Sequence, residues 1–297
     1  MEKHRIIYYY QTFTDLSCIL IKNTPVTHIM LSSFHFGTNP DKSSYIHLNN
    51  YPPTNSIFDK VWKQLEIAKE EYDIKIHIML GGAGGAFQDL FENFETYYPL
   101  LLKTIFLHPI ITGINLDIEE PISLENIKML IDCLKRDLGE TFIISMAPIQ
   151  GSLQEDNPGM GGFVYKDLYE SKEGRQIDFF NTQFYFDLSS SCYDQCIQNG
   201  YLENQIVLGM ITDQDFNGAC QTVRDLTEKY ENFGGVYMWE FFNSPPGGTK
   251  NPGLWAQKMK QILDQNECHD YEENKKLYWF QELYLYFINY IKTFTIV

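Results

Sequence analysis

Three polar side chains recur at alternate positions of one apolar stretch: Asn115, Asp117 and Glu119, interleaved with Ile114, Leu116 and Ile118. Residues two apart on a β-strand share a face, so positions 112–121 read as a strand that is oily on one side and ionisable on the other. A strand buried on both faces should be apolar throughout, and burying an unpaired carboxylate costs on the order of several kcal/mol. Such a row needs a reason. Two carboxyl groups on one face can hold and move a proton, which makes general acid–base catalysis the chemistry to expect.

Apolar runs rich in β-branched and aromatic residues alternate with amphipathic stretches, the pattern of repeated βα units. Eight strands are expected, at Arg5–Gln11, Val26–Phe36, Ile74–Gly81, Ile110–Glu119, Phe142–Pro148, Ile177–Tyr185, Gln205–Thr212 and Gly234–Phe241. Helices fall between and after them, most plainly at Phe58–Glu71, Leu124–Leu138, part of Val223–Phe233 and Leu254–Leu263. Eight alternations predict an α/β fold, a (β/α)8 TIM barrel with a short C-terminal extension. Active sites of such barrels lie at the C-terminal ends of the strands. Those ends carry Gly81, Gly82 and Gly84, then Asp117 and Glu119, Met146, Gln183 and Tyr185, and finally Trp239 and Glu240. The glycines form no phosphate loop, because no Lys-Ser or Lys-Thr follows them. His28 and His77 sit inside apolar runs without ligand spacing and read as hydrogen-bonded core histidines.

The chain has 297 residues, 44% hydrophobic and 15% aromatic, enough for a large core as one domain. A net charge of −16 repels nucleic acid and anionic membranes over most of the surface but not a neutral polymer. No secretion signal is visible before Gln11, which points to a cytoplasmic protein. The six cysteines are scattered and read as free thiols; Cys192 and Cys196 lack the further ligands of a zinc set, so no metal and no cofactor are expected. Residues 1–268 form the expected barrel domain and 269–297 an aromatic tail. Positions 277–297 are apolar enough to consider a membrane anchor, but Glu282 and Lys292 favour a helix packed on protein.

Four motifs in order carry a family resemblance. The run Thr112-Gly-Ile-Asn-Leu-Asp-Ile-Glu119 resembles the D-G-x-D-x-D-x-E signature of glycoside hydrolase family 18, the chitinase and endo-β-N-acetylglucosaminidase family. Ile78–Gly82 is similar to its S-x-G-G strand, Gln183-Phe184-Tyr185 to its Q-x-Y, and Gly234–Trp239 to its final G-G-x-x-x-W. Stretches at His47–Asn50 and Glu240–Ser244 are similar to a single-domain, signal-less fungal and bacterial subgroup. The resemblance spans about residues 5–266.

Membership implies substrate-assisted, retaining hydrolysis next to N-acetylglucosamine, in which the sugar's own acetamide attacks C1 and one enzymic acid suffices. Glu119 would be the acid and base, Asp117 would hold the acetamide N–H, Tyr185 would donate to its oxygen beside Gln183, and Trp239 would floor the sugar. Gly81, Gly82 and Met146 are further expected substrate contacts, and Tyr8 and Phe34 are weaker carry-overs from the first two strands. Two residues depart from the pattern. Thr112 replaces an acid at the far end of the strand, with a structural effect expected. Asn115 replaces an acid nearer the chemistry, and its amide is expected to donate to Asp117 and favour the ionised form. Retention of Glu119 argues against a silent chitin-binding lectin. Short loops suit an open groove and favour chitin or chito-oligosaccharides, with endo-β-N-acetylglucosaminidase action on N-glycans as the alternative; a monomer is expected.

Overall fold

The computed structural model describes residues 4–264. Its strands are β1 (Arg5–Tyr10), β2 (His28–Thr38), β3 (Ser44–Leu48), β4 (Lys75–Gly81), β5 (Ile111–Asp117), β6 (Ile143–Met146), β7 (Phe179–Gln183), β8 (Ile206–Ile211) and β9 (Gly235–Trp239). All but β3 are parallel, and β1 pairs with both β2 and β9, so eight strands close into a (β/α)8 TIM barrel. The helices are α1 (Asp59–Tyr72), α2 (Ala86–Glu92), α3 (Phe94–Leu107), α4 (Leu124–Leu138), α5 (Gly151–Gln154), α6 (Tyr165–Glu170), α7 (Ser190–Gln198), α8 (Phe216–Lys229) and α9 (Leu254–Leu263).

Helix α4 shows why its sequence was legible. Ile127, Leu130, Ile131 and Leu134 recur at helical spacing and are fully buried. Ser123 caps the start by accepting from the Asn126 N–H, and Lys135 and Arg136 sit in the last turn. Helix α8 starts earlier than its apolar pattern suggests, at Phe216, because Asp215 accepts from the Asn217 and Gly218 N–H groups and fixes the first turn there. Only this helix lies between β8 and β9.

The strand faces separate two packed regions. Outward side chains, among them Ile114, Leu116 and Ile118, join the large core shared with the helices. Inward ones form a smaller cluster of Ile7, Tyr9, Met30, Met79, Phe179, Val207 and Tyr237 that fills the barrel. Below it the Arg5 guanidinium lies 4.4 Å from the Phe179 ring centre, and the His28 and His77 rings meet edge to face at 5.1 Å. His28 is hydrogen-bonded to Thr27 as expected, but His77 is not: both its ring nitrogens are buried without a partner among the described residues. Burial depresses the His77 pKa to about 3, leaving a neutral ring.

Strand β3 was not expected. It folds back antiparallel on β2, pairing Phe34 with Leu48 through Thr38 with Ser44, and raises a wall over one side of the barrel mouth. The five cysteines among the described residues form no disulfide. No helix among the described residues is long and apolar enough to cross a membrane. The tail at 269–297, with its expected helix and anchor, lies outside the described residues.

Candidate active site

A cleft of about 730 Å³ opens at the C-terminal ends of the strands. It brings together Gly82, Asp117, Glu119, Gln183, Tyr185 and Trp239, six of the residues singled out from sequence. Strand β5 ends at Asp117, so Asp117 points up from the barrel interior and Glu119 stands at the lip two residues on. Asp117 is buried and Glu119 half-buried.

The carboxyl of Asp117 is held by Gln183, whose Nε2 donates to Oδ1 at 3.3 Å and to the Ala147 carbonyl at 2.9 Å. Its backbone carbonyl accepts from the Gly82 N–H at 2.8 Å. This close approach explains the glycine turn: a Cβ on Gly81 would lie 2.3 Å from that same carbonyl oxygen, at a φ of +98° that disfavours any side chain. Gly81 thus shapes the turn while Gly82 lines the cleft.

Tyr185 is positioned by Tyr237, whose hydroxyl donates to the Tyr185 oxygen at 3.0 Å. The proton of Tyr185 is therefore left for another acceptor in the cleft. Burial raises the Tyr185 pKa well above that of free tyrosine, so the group remains a donor. Trp239 packs against Tyr9 with ring centres 5.2 Å apart, presenting an apolar surface at the base of the cleft.

The electrostatics follow from an all-acid site. Among the described residues no lysine or arginine lines the cleft. Burial pushes the Asp117 pKa well up, with Glu119 and then Glu120 adding to it. Burial also raises Glu119, with Glu120 the next cause. A carboxyl raised in this way keeps its proton above the ordinary carboxylate range, the state that a general acid requires.

Asn115 corrects an expectation. Its side chain is fully buried below Asp117, but its amide does not go there: Nδ2 donates to the Ser145 hydroxyl at 3.0 Å, and Oδ1 accepts from the Tyr9 hydroxyl at 2.9 Å. Asn181 in turn donates to the Tyr9 oxygen at 2.9 Å. The ionised form of Asp117 gains nothing from Asn115, and burial disfavours it. Thr112, as expected, is structural: its hydroxyl reaches the Ile76 carbonyl at 3.4 Å, away from the cleft.

This network predicts that Asn115→Asp lowers stability near neutral pH by about 1–3 kcal/mol, the cost of a poorly solvated buried acid. Burial raises such an acid's folded pKa, so its stabilising contribution is present at low pH and lost as pH rises through that value. Urea unfolding at pH 5 and pH 8 should show the deficit at the higher pH; the same deficit at both would rule the mechanism out.

Three further carry-overs face away from the cleft. Tyr8 lies between β1 and α9, its hydroxyl donating to the Pro252 carbonyl at 2.7 Å and accepting from the Ala256 N–H at 3.1 Å. Its neighbours Ile7 and Tyr9 point inward instead. Phe34 is buried in the outer core because the β2 register shifts between Leu31 and Phe34, reversing the alternation that begins at Met30. Met146 is also in the outer core, because its neighbour Ser145 takes the inward place beside Asn115.

The cleft also holds residues not singled out individually: Gln11, Thr12, Ser33, His35, Phe36, Asn49 and Asn50, with His47. Asn49 ties this wall together, accepting from the Ser33 N–H at 3.2 Å and donating to the Gln11 carbonyl at 3.1 Å. His35 and His47 stack with ring centres 5.7 Å apart. Glu240 accepts from the Gln11 and Thr12 N–H groups, both at 2.9 Å, and fixes the loop after β1. The stretches at His47–Asn50 and Glu240–Ser244 contained this signal.

A (β/α)8 barrel whose fourth barrel strand delivers two carboxyl groups into an open, uncharged-walled groove defines a glycosidase. The chain is 32% identical to a fungal endo-β-N-acetylglucosaminidase from glycosyl hydrolase family 18, with a TM-score of 0.78 over 89% of this chain and 99% of that one. It is equally 32% identical to the chitinase ChiC of Aspergillus fumigatus, with a TM-score of 0.76 over 88% of this chain and 99% of that one. A family 18 chitinase from Chromobacterium violaceum, at 16% identity and a TM-score of 0.62, covering 88% of this chain and 84% of its own, shares the fold. No family model and no curated protein matches the sequence. The chain belongs to glycoside hydrolase family 18 and is a glycosidase.

Proposed function

We propose that the protein cleaves the β-1,4 bond next to an N-acetylglucosamine of chitin or chito-oligosaccharides, with retention of configuration. The carrying observation is one cleft that joins a half-buried acid, Glu119, to a buried acid clamped by Gln183 and a tyrosine with its proton free. Glu119 protonates the departing glycosidic oxygen. The substrate's acetamide oxygen attacks C1, the bond from C1 to the departing glycosidic oxygen breaks, and Asp117 stabilises the positive charge that develops on the acetamide nitrogen. Tyr185 donates to the acetamide oxygen and orients it, while Trp239 supports the apolar face of the sugar. In the second step Glu119, now a base, takes a proton from water, which opens the cyclic intermediate at C1 and restores the acetamide.

Asp117 accepts the acetamide N–H, and this contact strengthens as positive charge develops on the nitrogen, which concentrates its electrostatic effect in the transition state. Cleavage of N-glycans requires the same centre, and the 32% identity to the fungal endo-β-N-acetylglucosaminidase, the same as to the chitinase, supports it as the second reading. Mass spectrometry of products from chitin oligosaccharides and, separately, a high-mannose glycopeptide distinguishes them. Shorter N-acetylglucosamine oligomers from the first substrate alone are expected. Release of glycan from the second alone replaces the chitinase reading, and no product from either rejects both.

A further inference from the structure

Glu120 follows the proposed acid directly and has no part in the chemistry above. Its side chain turns to the neighbouring βα unit: Oε1 accepts from the Phe87 N–H at 2.6 Å and the Gln88 N–H at 3.3 Å, at the start of α2. The other oxygen, Oε2, is buried with no partner among the described residues. Buried acceptors are nearly always satisfied, so an orphan of this kind calls for an explanation.

The connection has a definite geometry. Between β4 and α2 runs the turn Gly81–Gly85, of which Gly82, Ala83 and Gly84 line the cleft. The turn is held to the end of β5 twice: at its start by the Gly82 N–H on the Asp117 carbonyl, and at its far side by the α2 amides on Glu120. Ile118 is buried in the outer core between these two attachments. Glu119 is thus carried on a short segment anchored on both sides, with a second carboxylate next to it.

We infer that Glu120 is a positioning residue for the general acid: it clamps the glycine wall to the catalytic strand and holds a second carboxyl group beside Glu119. The inference rests on the assignment of Glu119 as that acid. The burial-driven rise in both Glu119 and Asp117 is reinforced by Glu120, which agrees with the geometry. The other ionisable groups around this end of the cleft are Asp117 on the same segment, Tyr185 after β7, Asp89 and Glu92 on the clamped helix, and His35 and His47 on the hairpin wall. Among the described residues no lysine or arginine of the cleft wall stands among these groups.

Glu120→Gln separates clamp from charge, since its amide oxygen can still accept from Phe87 and Gln88. The alkaline limb of kcat/KM against pH should move down by about half a unit or more, the direction expected when a like charge is removed. Glu120→Asp keeps the charge and shortens the clamp, so its limb should stay near that of wild type while KM rises. A Glu120→Gln limb coincident with wild type overturns the inference, as does a Glu120→Asp limb displaced as far as that of Glu120→Gln. If Glu120→Asp does not fold, the Glu120→Gln limb decides alone; if Glu120→Gln does not fold, a Glu120→Asp limb displaced from wild type by about half a unit or more overturns the inference. Failure of the underlying assignment is distinguishable, because Glu119→Gln would then remain active.

Discussion

Glu119→Gln should reduce turnover of chito-oligosaccharides by about 10²–10⁴-fold, the range for loss of a positioned general acid–base group. Glutamine keeps the size and hydrogen-bonding reach of the side chain but cannot deliver a proton to the leaving oxygen. Contacts to the sugar through Asp117, Tyr185 and Trp239 are untouched, so oligosaccharide affinity measured by calorimetry should stay close to wild type. Activity of the wild type should itself decline as pH rises through the elevated Glu119 pKa. The residual activity of the variant should not follow that limb. A variant that loses binding along with turnover, or that turns over at near wild-type rate, would remove Glu119 from the role of acid.

Asp117→Asn should do the opposite to stability and much the same to activity. Removing a preorganised electrostatic partner costs about 10²–10³-fold in kcat. The native state, however, is relieved of a carboxylate whose ionisation burial opposes. The sign follows from linkage. A carboxyl with its folded pKa raised contributes stability that is present below the unfolded value and lost as pH climbs through the folded one. The asparagine variant carries no such loss, and its Oδ1 can still accept from Gln183. It should therefore be the more stable protein at pH 8, with a gain of about 1–3 kcal/mol, each kcal/mol raising Tm by roughly 2–4 °C at this size. At pH 4 the two melting temperatures should converge. A variant less stable than wild type at pH 8 would mean that Asp117 is held ionised by interactions other than those described.

The alternation on β5 was readable in sequence because a buried acid row has few structural explanations, and the structure puts Asn115 and Asp117 inside and Ile114, Leu116 and Ile118 outside. Gln183 and Tyr185 were readable for a related reason: they are polar groups at the end of an apolar strand. Tyr8 and Phe34 were not. Three consecutive tyrosines, Tyr8, Tyr9 and Tyr10, give no hydropathy contrast by which to set the β1 register. On β2 the register itself changes part-way, which no periodicity can show. The hairpin strand Ser44–Leu48 was hidden by its polar surroundings, and with it the contribution of His47 and Asn49 to the cleft wall. The destination of the Asn115 amide depends on which of several hydroxyls faces it across the barrel, information that lies in the three-dimensional packing of β1, β6 and β7.

The same amide has a bearing on proton traffic. Beneath Asp117 the barrel axis is occupied by Asn115, Ser145, Tyr9 and Asn181, linked to one another and wholly buried. An acid in the central position could accept a proton from above and store it; an amide does neither, so the chain of hydrogen bonds ends electrically where the catalytic pair begins. In the proposed cycle Glu119 then exchanges its proton with solvent through the open mouth of the groove. Each catalytic cycle is in this sense metered by the solvent above it, with no reservoir in the barrel floor.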